Sequence, residues 1–166
     1  AGDDEDFVST WARITTLMSG KDRGWWCLPE KDDEVAVMFE HGDPRRPIII
    51  GGLWNGQDTP PVEGIGTGPE DSTDPMGQAL NIKTACKDTT DKGGKNRARF
   101  FKSRSGHLLL FDDAEEQKDE KIVLKTKRGH TLVLNDCDGK ESIALYDSTG
   151  EEYLHIDEAN KKITIE

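Results

Sequence analysis

The sequence predicts an all-β protein, with a small barrel near its N-terminus and a rod of repeated strands in its C-terminal half. Short alternating stretches separated by turn residues predict the barrel. Aliphatic doublets that recur every 9 to 11 residues predict the rod. No segment of useful length shows the 3.6-residue periodicity of a helix.

The first region, from about Phe7 to Leu53, reads as four or five short strands. That number of strands over some 50 residues is typical of a small closed barrel. Glu34–Glu40 is apolar on both faces, so we expect it to be central and largely buried. Turns are predicted at Lys21–Gly24 and His41–Pro44. The expected strands are Trp11–Leu17, Trp25–Leu28, Glu34–Glu40 and Ile48–Ile50.

The second region, about Asn55 to Gln78, is rich in Gly, Pro, Asp and Thr and has no periodicity. Pro60 and Pro61 stand together near its start. This composition predicts a linker or a long surface loop.

The third region, from about Leu80 to Glu166, contains pairs of aliphatic residues in the pattern x-φ-x-φ-x, separated by polar turns. A fixed period of this kind indicates a repeat architecture. Each unit reads as one short strand with an apolar and a polar face, followed by a turn. Leu108/Leu110 is the first pair, and the five later pairs are Ile122/Leu124, Leu132/Leu134, Ile143/Leu145, Leu154/Ile156 and Ile163/Ile165.

These doublets are too sparse to form a core within one thin ribbon, which would leave its apolar face and two edges in water. We therefore expect several copies to wrap around an axis, with the doublets inside and the polar face outside. A β-sandwich or a solenoid built within one chain is the alternative, although it normally has more apolar strands per repeat and terminal caps. The pattern runs to Lys162–Glu166 without a cap, so we expect the rod to continue or another protein to cover it.

Composition excludes several classes of function. The chain carries 22 basic and 33 acidic residues, a net charge of −11, which disfavours nucleic acid and stable association with an anionic membrane. No apolar run reaches membrane-spanning length. The three cysteines form no CxxC pair, so we expect free thiols in a reducing compartment. The start at Ala1 is no signal peptide and indicates a fragment or a processed product.

No catalytic, cofactor or metal site is predicted. His41, His107, His130 and His155 have no metal-binding spacing, and we interpret them as turn or surface residues. The serines near His107 lack a nucleophile elbow, and the paired carboxylates look like turn chemistry. Trp25 and Trp26 are adjacent, so one is expected in the core and the other against a neighbouring subunit or domain.

Two segments resemble a known family. Lys21–Glu30 (KDRGWWCLPE) with Asp33–Ile48 (DEVAVMFEHGDPRRPI) and Ile50–Gly56 (IGGLWNG) resembles the OB-fold of VgrG-type spike proteins. Lys102–Leu108 (KSRSGHL) with Phe111–Asp113 resembles the entry to that family's β-helix. Both segments occur in the family's order, and the resemblance covers most of the chain.

The resemblance implies an OB-fold collar over residues 1–56, a linker over 57–79 and a trimeric, intertwined β-helix (β-prism) stalk over 80–166. It implies a structural spike at the tip of a contractile tail tube, as in type VI secretion systems, phage baseplates and extracellular injection particles. Such a spike pierces a target envelope and carries effectors. The doublets from Ile122 to Ile165 would then form the trimer core.

The implied partners are two further copies of the chain, baseplate hub or tail-tube proteins, a PAAR-repeat tip protein and effectors. The spike would assemble in the bacterial cytoplasm and then be ejected toward a target cell. The family's large N-terminal hub domain does not fit in 166 residues, so we expect it to be a separate chain or to have been removed. The His-x-His iron site of some spikes has no counterpart here, so no tip metal is expected. The rival interpretations are a carbohydrate-binding or tail-fibre-like receptor-binding module and a spike-borne enzyme.

Overall fold

The computed structural model describes residues 11–61, 95–96, 98–113 and 120–166. The described residues form twelve β-strands and one short 3₁₀ turn, as expected for an all-β chain. The chain divides into two compact units between Pro60 and Pro61. The predicted linker over 57–79 lies mostly outside the described residues, as does Cys86.

The N-terminal unit contains a three-stranded sheet and a separate hairpin. In the sheet, β5 is central, with β1 parallel to it on one side and β4 antiparallel on the other. The hairpin pairs β2 with β3 across a two-residue turn. The strands are β1 (Arg13–Ile14), β2 (Ser19–Gly20), β3 (Arg23–Gly24), β4 (Val35–Phe39) and β5 (Pro47–Gly52).

The expected closed barrel is not present among residues 11–61, because no strand ladder joins the hairpin to the three-stranded sheet. The prediction that Glu34–Glu40 is central and buried was also wrong in part. The strand forms, but it lies at the edge of its sheet, and Val37, Met38 and Phe39 are exposed. Alternation on two apolar faces predicted burial, whereas the central position belongs to β5.

Trp25–Leu28 does not form the expected strand. Trp25 instead closes the β2–β3 hairpin, because its amide donates to the carbonyl of Met18 at 2.8 Å and its carbonyl accepts from Oγ1 of Thr16 at 2.7 Å. Trp25 and Trp26 are both exposed in the described chain, so neither occupies the core position expected for one of them.

The predicted turns in this unit are confirmed. Lys21 and Asp22 form the hairpin turn, with Asp22 in the left-handed region at φ 56°. The second turn contains the 3₁₀ segment Glu40–Gly42. It is followed by Asp43, whose carboxylate accepts from the side chain and the backbone amide of Arg45, both at 3.0 Å. These two hydrogen bonds lower the pKa of the Asp43 carboxyl.

The C-terminal unit is a seven-stranded antiparallel sheet in which each strand pairs with its neighbours in sequence. The five strands and the turns expected from Ile122 onward are confirmed. The turns at Lys127–Gly129, Asp136–Gly139, Ser148–Gly150 and Glu158–Asn160 separate them. The strands are β6 (Ala98–Lys102), β7 (Leu108–Asp112), β8 (Lys121–Lys125), β9 (Thr131–Asn135), β10 (Ser142–Tyr146), β11 (Tyr153–Asp157) and β12 (Lys162–Ile165).

One face of this sheet carries the buried cluster of the chain. Its side chains alternate along the strands with exposed ones, as the two-residue period requires. The expectation that the face opposite the doublets is polar was therefore wrong. Tyr146 and Tyr153 face each other on it, with ring centroids 6.2 Å apart. Its buried apolar residues are Ala98, Leu108, Leu110, Val123, Val133, Ala144, Tyr146 and Tyr153.

Gly129 in the β8–β9 turn provides a test of this packing. It has φ 110°, outside the conformations that L side chains usually adopt, and a Cβ there would lie 3.2 Å from the carbonyl oxygen of Ser148 in the next turn. We expect Gly129→Ala to lower the free energy of unfolding by about 2 kcal/mol, because it adds a steric contact to backbone strain. Urea unfolding at fixed protomer concentration, followed by circular dichroism, measures this loss.

Gly139→Ala is the matched control. Gly139 also has a positive φ, of 73°, but no atom lies within 4 Å of the position that its Cβ would take. We expect a loss of about 1 kcal/mol from the left-handed conformation alone. Equal losses in the two variants would contradict the close approach of the two turns.

Candidate functional site, an aliphatic interaction surface

The ten aliphatic residues predicted from the doublets all lie on the face of the C-terminal sheet opposite the buried cluster. Two of them come from each of the strands β8 to β12, and the strand register places them in two straight rows. We call this surface the aliphatic face. Its first row is Ile122, Leu134, Ile143, Ile156 and Ile163, and its second row is Leu124, Leu132, Leu145, Leu154 and Ile165.

The rows follow from direct cross-strand pairing. Leu134 of β9 pairs with Ile122 on one side and with Ile143 on the other, and Leu145 of β10 pairs in the same way with Leu132 and Leu154. Directly opposed aliphatic pairs stabilise a sheet by roughly 0.2–1 kcal/mol each. Because the side-chain period is two, a slip of one residue would move a whole strand's doublet to the other face.

The aliphatic face is largely open to solvent in the single chain. Leu124 and Leu145 are each 52% exposed, and Ile165 is 73% exposed. Leu132, Leu154 and Ile156 are half-buried by their neighbours. A continuous apolar surface of this kind marks an interaction site, since isolated apolar residues are common on protein surfaces but long rows of them are not.

Sequence reasoning missed three residues of this surface. Phe111 pairs with Ile122 and extends the first row, and Leu109 pairs with Leu124 and extends the second row, together with Phe101. The predicted first doublet, Leu108/Leu110, was wrong in phase, because both side chains point to the buried face. Four successive apolar residues leave the phase undefined, and pairing with β8 determines it.

A row of carboxylates borders the first aliphatic row at the end of the sheet formed by the β7–β8, β9–β10 and β11–β12 connections. The same alternation continues there: the amide of Asp136 donates to the carbonyl of Glu120 at 2.9 Å, and that of Glu158 donates to Glu141 at 3.0 Å. Asp113 pairs with Arg99 across the sheet. We call this the acidic row; its members are Asp113, Glu120, Asp136, Glu141 and Glu158.

A groove of about 270 Å³ lies where the acidic row meets the aliphatic face. Leu134, Ile143 and Ile156 line its apolar part, and Asp136 and Glu158 are among its polar lining residues. The groove can therefore hold an apolar group next to a positive charge.

The opposite end of the sheet begins with basic turns. The β6–β7 and β8–β9 turns are adjacent, because the amide of Lys127 donates to Nδ1 of His107 at 3.3 Å. Burial lowers the pKa of the Lys125 ammonium at the base of the second turn. The two turns and the strand ends that lead into them carry five basic residues and no carboxylate: Lys102, Arg104, Lys125, Lys127 and Arg128.

His155 does not fit the interpretation of the histidines as turn or surface residues. It is 2% exposed, on the buried face of β11, and pairs with Ala144 and Thr164. Its Nδ1 and Oγ1 of Thr164 have no hydrogen-bond partner among the described residues. His41, His107 and His130 do lie in turns, as expected.

Within the described ranges, no three His, Cys, Asp or Glu residues lie close enough together to hold a metal ion. Cys27 and Cys137 are both free thiols. In the same part of the chain, no helix has the length and apolar character needed to cross a membrane.

Comparison with known proteins gives consistent matches. Residues 2–54 match the type VI secretion system/phage-baseplate injector OB domain. The type VI secretion system spike protein VgrG1b of Pseudomonas aeruginosa is 31% identical over 118 residues, 69% of this chain and 14% of that protein. The actin cross-linking toxin VgrG1 of Vibrio cholerae is 27% identical over 153 residues, 90% of this chain and 12% of that protein. The chain thus spans about one eighth of the length of these relatives.

Asp147 lies in the β10–β11 turn, at the same end of the sheet as the basic turns. Its carboxyl allows a test of the electrostatics there. The hydroxyl of Thr149 donates to its carboxylate at 2.7 Å and, with smaller contributions from backbone amides, lowers its pKa from 3.8 to about 2. Because the folded pKa lies below the unfolded one, these hydrogen bonds stabilise the fold above pH 4. Their contribution is lost as the pH falls from about 4 toward 2.

We expect Thr149→Ala to raise the pKa of Asp147 toward its ordinary value, since the variant removes the largest cause of the shift. Carboxyl-detected NMR titration measures the midpoint in both proteins. Thr59→Ala, at an exposed threonine of the N-terminal unit, is the control and should leave the midpoint at about 2. A midpoint that is the same with and without the Thr149 hydroxyl would contradict the assignment.

Proposed function

Because this chain is a VgrG-like protein that carries the injector OB domain, we propose that it is a structural segment of the central spike of a contractile injection machine. In this proposal the chain supplies an OB collar and the stalk that follows it. Its task is mechanical: a stiff sheet transmits axial force to the tip when the machine contracts, and the tip opens the target envelope.

The observation that supports the proposal most strongly is the exposure of the aliphatic face. The chain places aliphatic or aromatic side chains on this face in all strands from β6 to β12, yet leaves many of them exposed. Burial of such a side chain contributes roughly 1.5–3 kcal/mol, so covering the two rows would stabilise an assembly strongly. A monomeric soluble protein rarely leaves a surface of this kind uncovered.

We propose that three copies cover this face for one another around a common axis, as a β-prism. The number three comes from the resemblance to VgrG-type spikes, and burial energetics alone demand only that some partner is present. The antiparallel order of β6 to β12 suits such an assembly, because a meander of short strands forms one flat side of a prism. Three sides enclose the aliphatic faces and leave turns at the edges.

The same proposal names the partners and the course of assembly. Baseplate hub or tail-tube proteins would bind at the collar, and a PAAR-repeat protein with effectors would bind toward the tip. The spike would assemble in the bacterial cytoplasm and leave the cell when the machine contracts. We propose a structural and not a catalytic role. The prominent surfaces of the described residues are apolar rows and charged turns, which suit contacts between proteins.

Leu134→Asp tests the proposal directly. Leu134 lies in the middle of the first row and is 37% exposed in the single chain. A carboxylate at this position can be solvated in a monomer but would be buried without a partner in an assembly, at a cost of several kcal/mol. We expect the variant to lose its trimers while the N-terminal unit stays folded, as measured by multi-angle light scattering and tryptophan fluorescence.

Val133→Asp is the matched control, since Val133 is adjacent in sequence but is 4% exposed on the buried face. This variant should lose the C-terminal sheet itself, with loss of its circular dichroism signal. Trimers that persist in Leu134→Asp at micromolar concentration would contradict the proposed role of the aliphatic face.

A further inference from the structure

The charges at the two ends of the C-terminal sheet form complementary patterns. Each end is a stack of turns, since every strand of the meander reverses there. We call the end with the β6–β7, β8–β9 and β10–β11 turns the first end, and the end with the β7–β8, β9–β10 and β11–β12 connections the second end. In chain order, the turns of the first end change from basic to acidic. The connections of the second end change from acidic to mixed, with exposed lysines in the last one.

The β8–β9 turn at the first end is basic, and the β9–β10 turn at the second end is acidic. Lys127 and Arg128 are exposed in the former. Asp136 is exposed and Glu141 half-buried in the latter. These turns lie on opposite ends of five-residue strands, roughly 17 Å apart, so they cannot neutralise one another within one chain.

In the next pair of turns, the turn at the first end is acidic and the connection at the second end is mixed in charge. In the β10–β11 turn, Glu151 and Glu152 are exposed at the first end. At the second end, Lys161 of the β11–β12 turn and Lys162 at the start of β12 are exposed, as is Glu158 of the acidic row. Suppose that each turn of the first end is set against the turn one strand further along the chain at the second end. The basic β8–β9 turn then meets the acidic β9–β10 turn, and Glu151 and Glu152 lie on the same level as the exposed Lys161 and Lys162.

The opposite shift gives a repulsive arrangement. If each turn of the first end met the connection one strand earlier, the acidic β10–β11 turn would lie against the acidic β9–β10 turn. In that arrangement the basic β8–β9 turn would still meet a carboxylate, Glu120, but the acidic turns would repel each other. Like charges at close range disfavour a contact, so the charge pattern favours the first register. This selection is effective in a chain with a net charge of −11, whose copies otherwise repel one another.

From these observations we infer that the partner at each end of the sheet is a second copy of this chain. The first end of one copy contacts the second end of the next, shifted by one strand. This inference rests on the proposed assembly and adds its contact chemistry: a head-to-tail seam in which Lys127 and Arg128 face Asp136 and Glu141. Such a heterologous contact closes into a ring when its rotation allows closure. The groove beside Asp136 and Glu158 accepts the aliphatic stem of a lysine or arginine from the next copy.

Zero-length carbodiimide cross-linking of the whole chain tests the seam, because it joins only amines and carboxylates in direct contact. We expect amide links from Lys127 to Asp136 or Glu141, and from Glu151 or Glu152 to Lys161 or Lys162, identified by peptide mass spectrometry in trimer bands. The separation of the two ends within one chain makes each link diagnostic of a contact between copies. Lys127→Arg is the control: it keeps the charge and the trimer but should lose the first link.

Charge reversal gives a second, independent measurement. We expect Lys127→Glu with Arg128→Glu to weaken assembly about tenfold or more, and Asp136→Lys with Glu141→Lys to do the same. All four substitutions in one chain should restore assembly, because the opposed charges are again complementary. All four residues lie in turns, outside the buried cluster, so the fold should be unaffected.

The outcomes separate this inference from the proposed function. Trimers in which Lys127 is not linked to the acidic turn, or in which the fourfold variant fails to assemble, would overturn the seam and leave the trimer standing. A wild-type chain that stays monomeric would overturn both. Links that join like turns of two copies would indicate a two-fold contact and would also overturn the head-to-tail order.

Discussion

The structure of the C-terminal unit depends on the two-residue period of its strands, which gives one sheet two apolar faces. Val123, Val133 and Ala144 point to one side and are buried within the chain. The aliphatic rows alternate with them and point to the other side, where most of their side chains remain exposed. One chain can bury only one of these faces well, and the other is available for a partner.

The turns fix which residues share a face. Asp147 follows β10 directly, and Asp157 is the last residue of β11. Both carboxylates accept hydrogen bonds from residues in the following turn, which lowers the pKa of both carboxyls. Asn135 accepts from the amide of Cys137 and donates to the carbonyl of Lys140. A side chain that hydrogen-bonds within its own turn fixes the residue at which strand pairing ends. The turns therefore keep the register constant from one strand pair to the next. This repetition keeps the two rows straight over the five strands from β8 to β12.

Much of this sheet could be predicted from the sequence, because its signals are local. The doublets from Ile122 to Ile165 identified the strands and their common face, and the polar spacers identified the turns. The phase at Leu108–Phe111 could not be predicted, since four apolar residues fit either face and only pairing with β8 decides between them. The buried face was missed for a related reason: Ala144, Thr131 and His155 read as polar or small residues, although the sheet buries them.

The N-terminal unit was less predictable, because its strands are short and its pairing is non-local. The parallel pairing of β1 with β5 joins residues 35 positions apart, Arg13 with Ile48. No local pattern specifies that contact. Short strands at a sheet edge also stay exposed where alternation on two faces suggested burial, as β4 shows. The family match over residues 2–54 rests on this unit, so its motifs were more informative than its periodicity.

The charge pattern and the apolar pattern have different roles in this account. Burial of the aliphatic face would supply most of the association energy, since it is non-directional and scales with area. Charges at the two ends would supply direction and register, because they discriminate between arrangements that bury the same area. The apolar pattern lies on the strands and the charge pattern lies in the turns between them. Both therefore repeat with the same strand-and-turn unit.

The mass of the intact chain in solution, measured by native mass spectrometry across a dilution series, tests the central claim most directly. The account predicts a species of about 55 kDa, three times the 18.5 kDa chain, that persists on dilution to low micromolar concentration. A folded 18.5 kDa monomer throughout the series, with its aliphatic face still open to solvent, would contradict it.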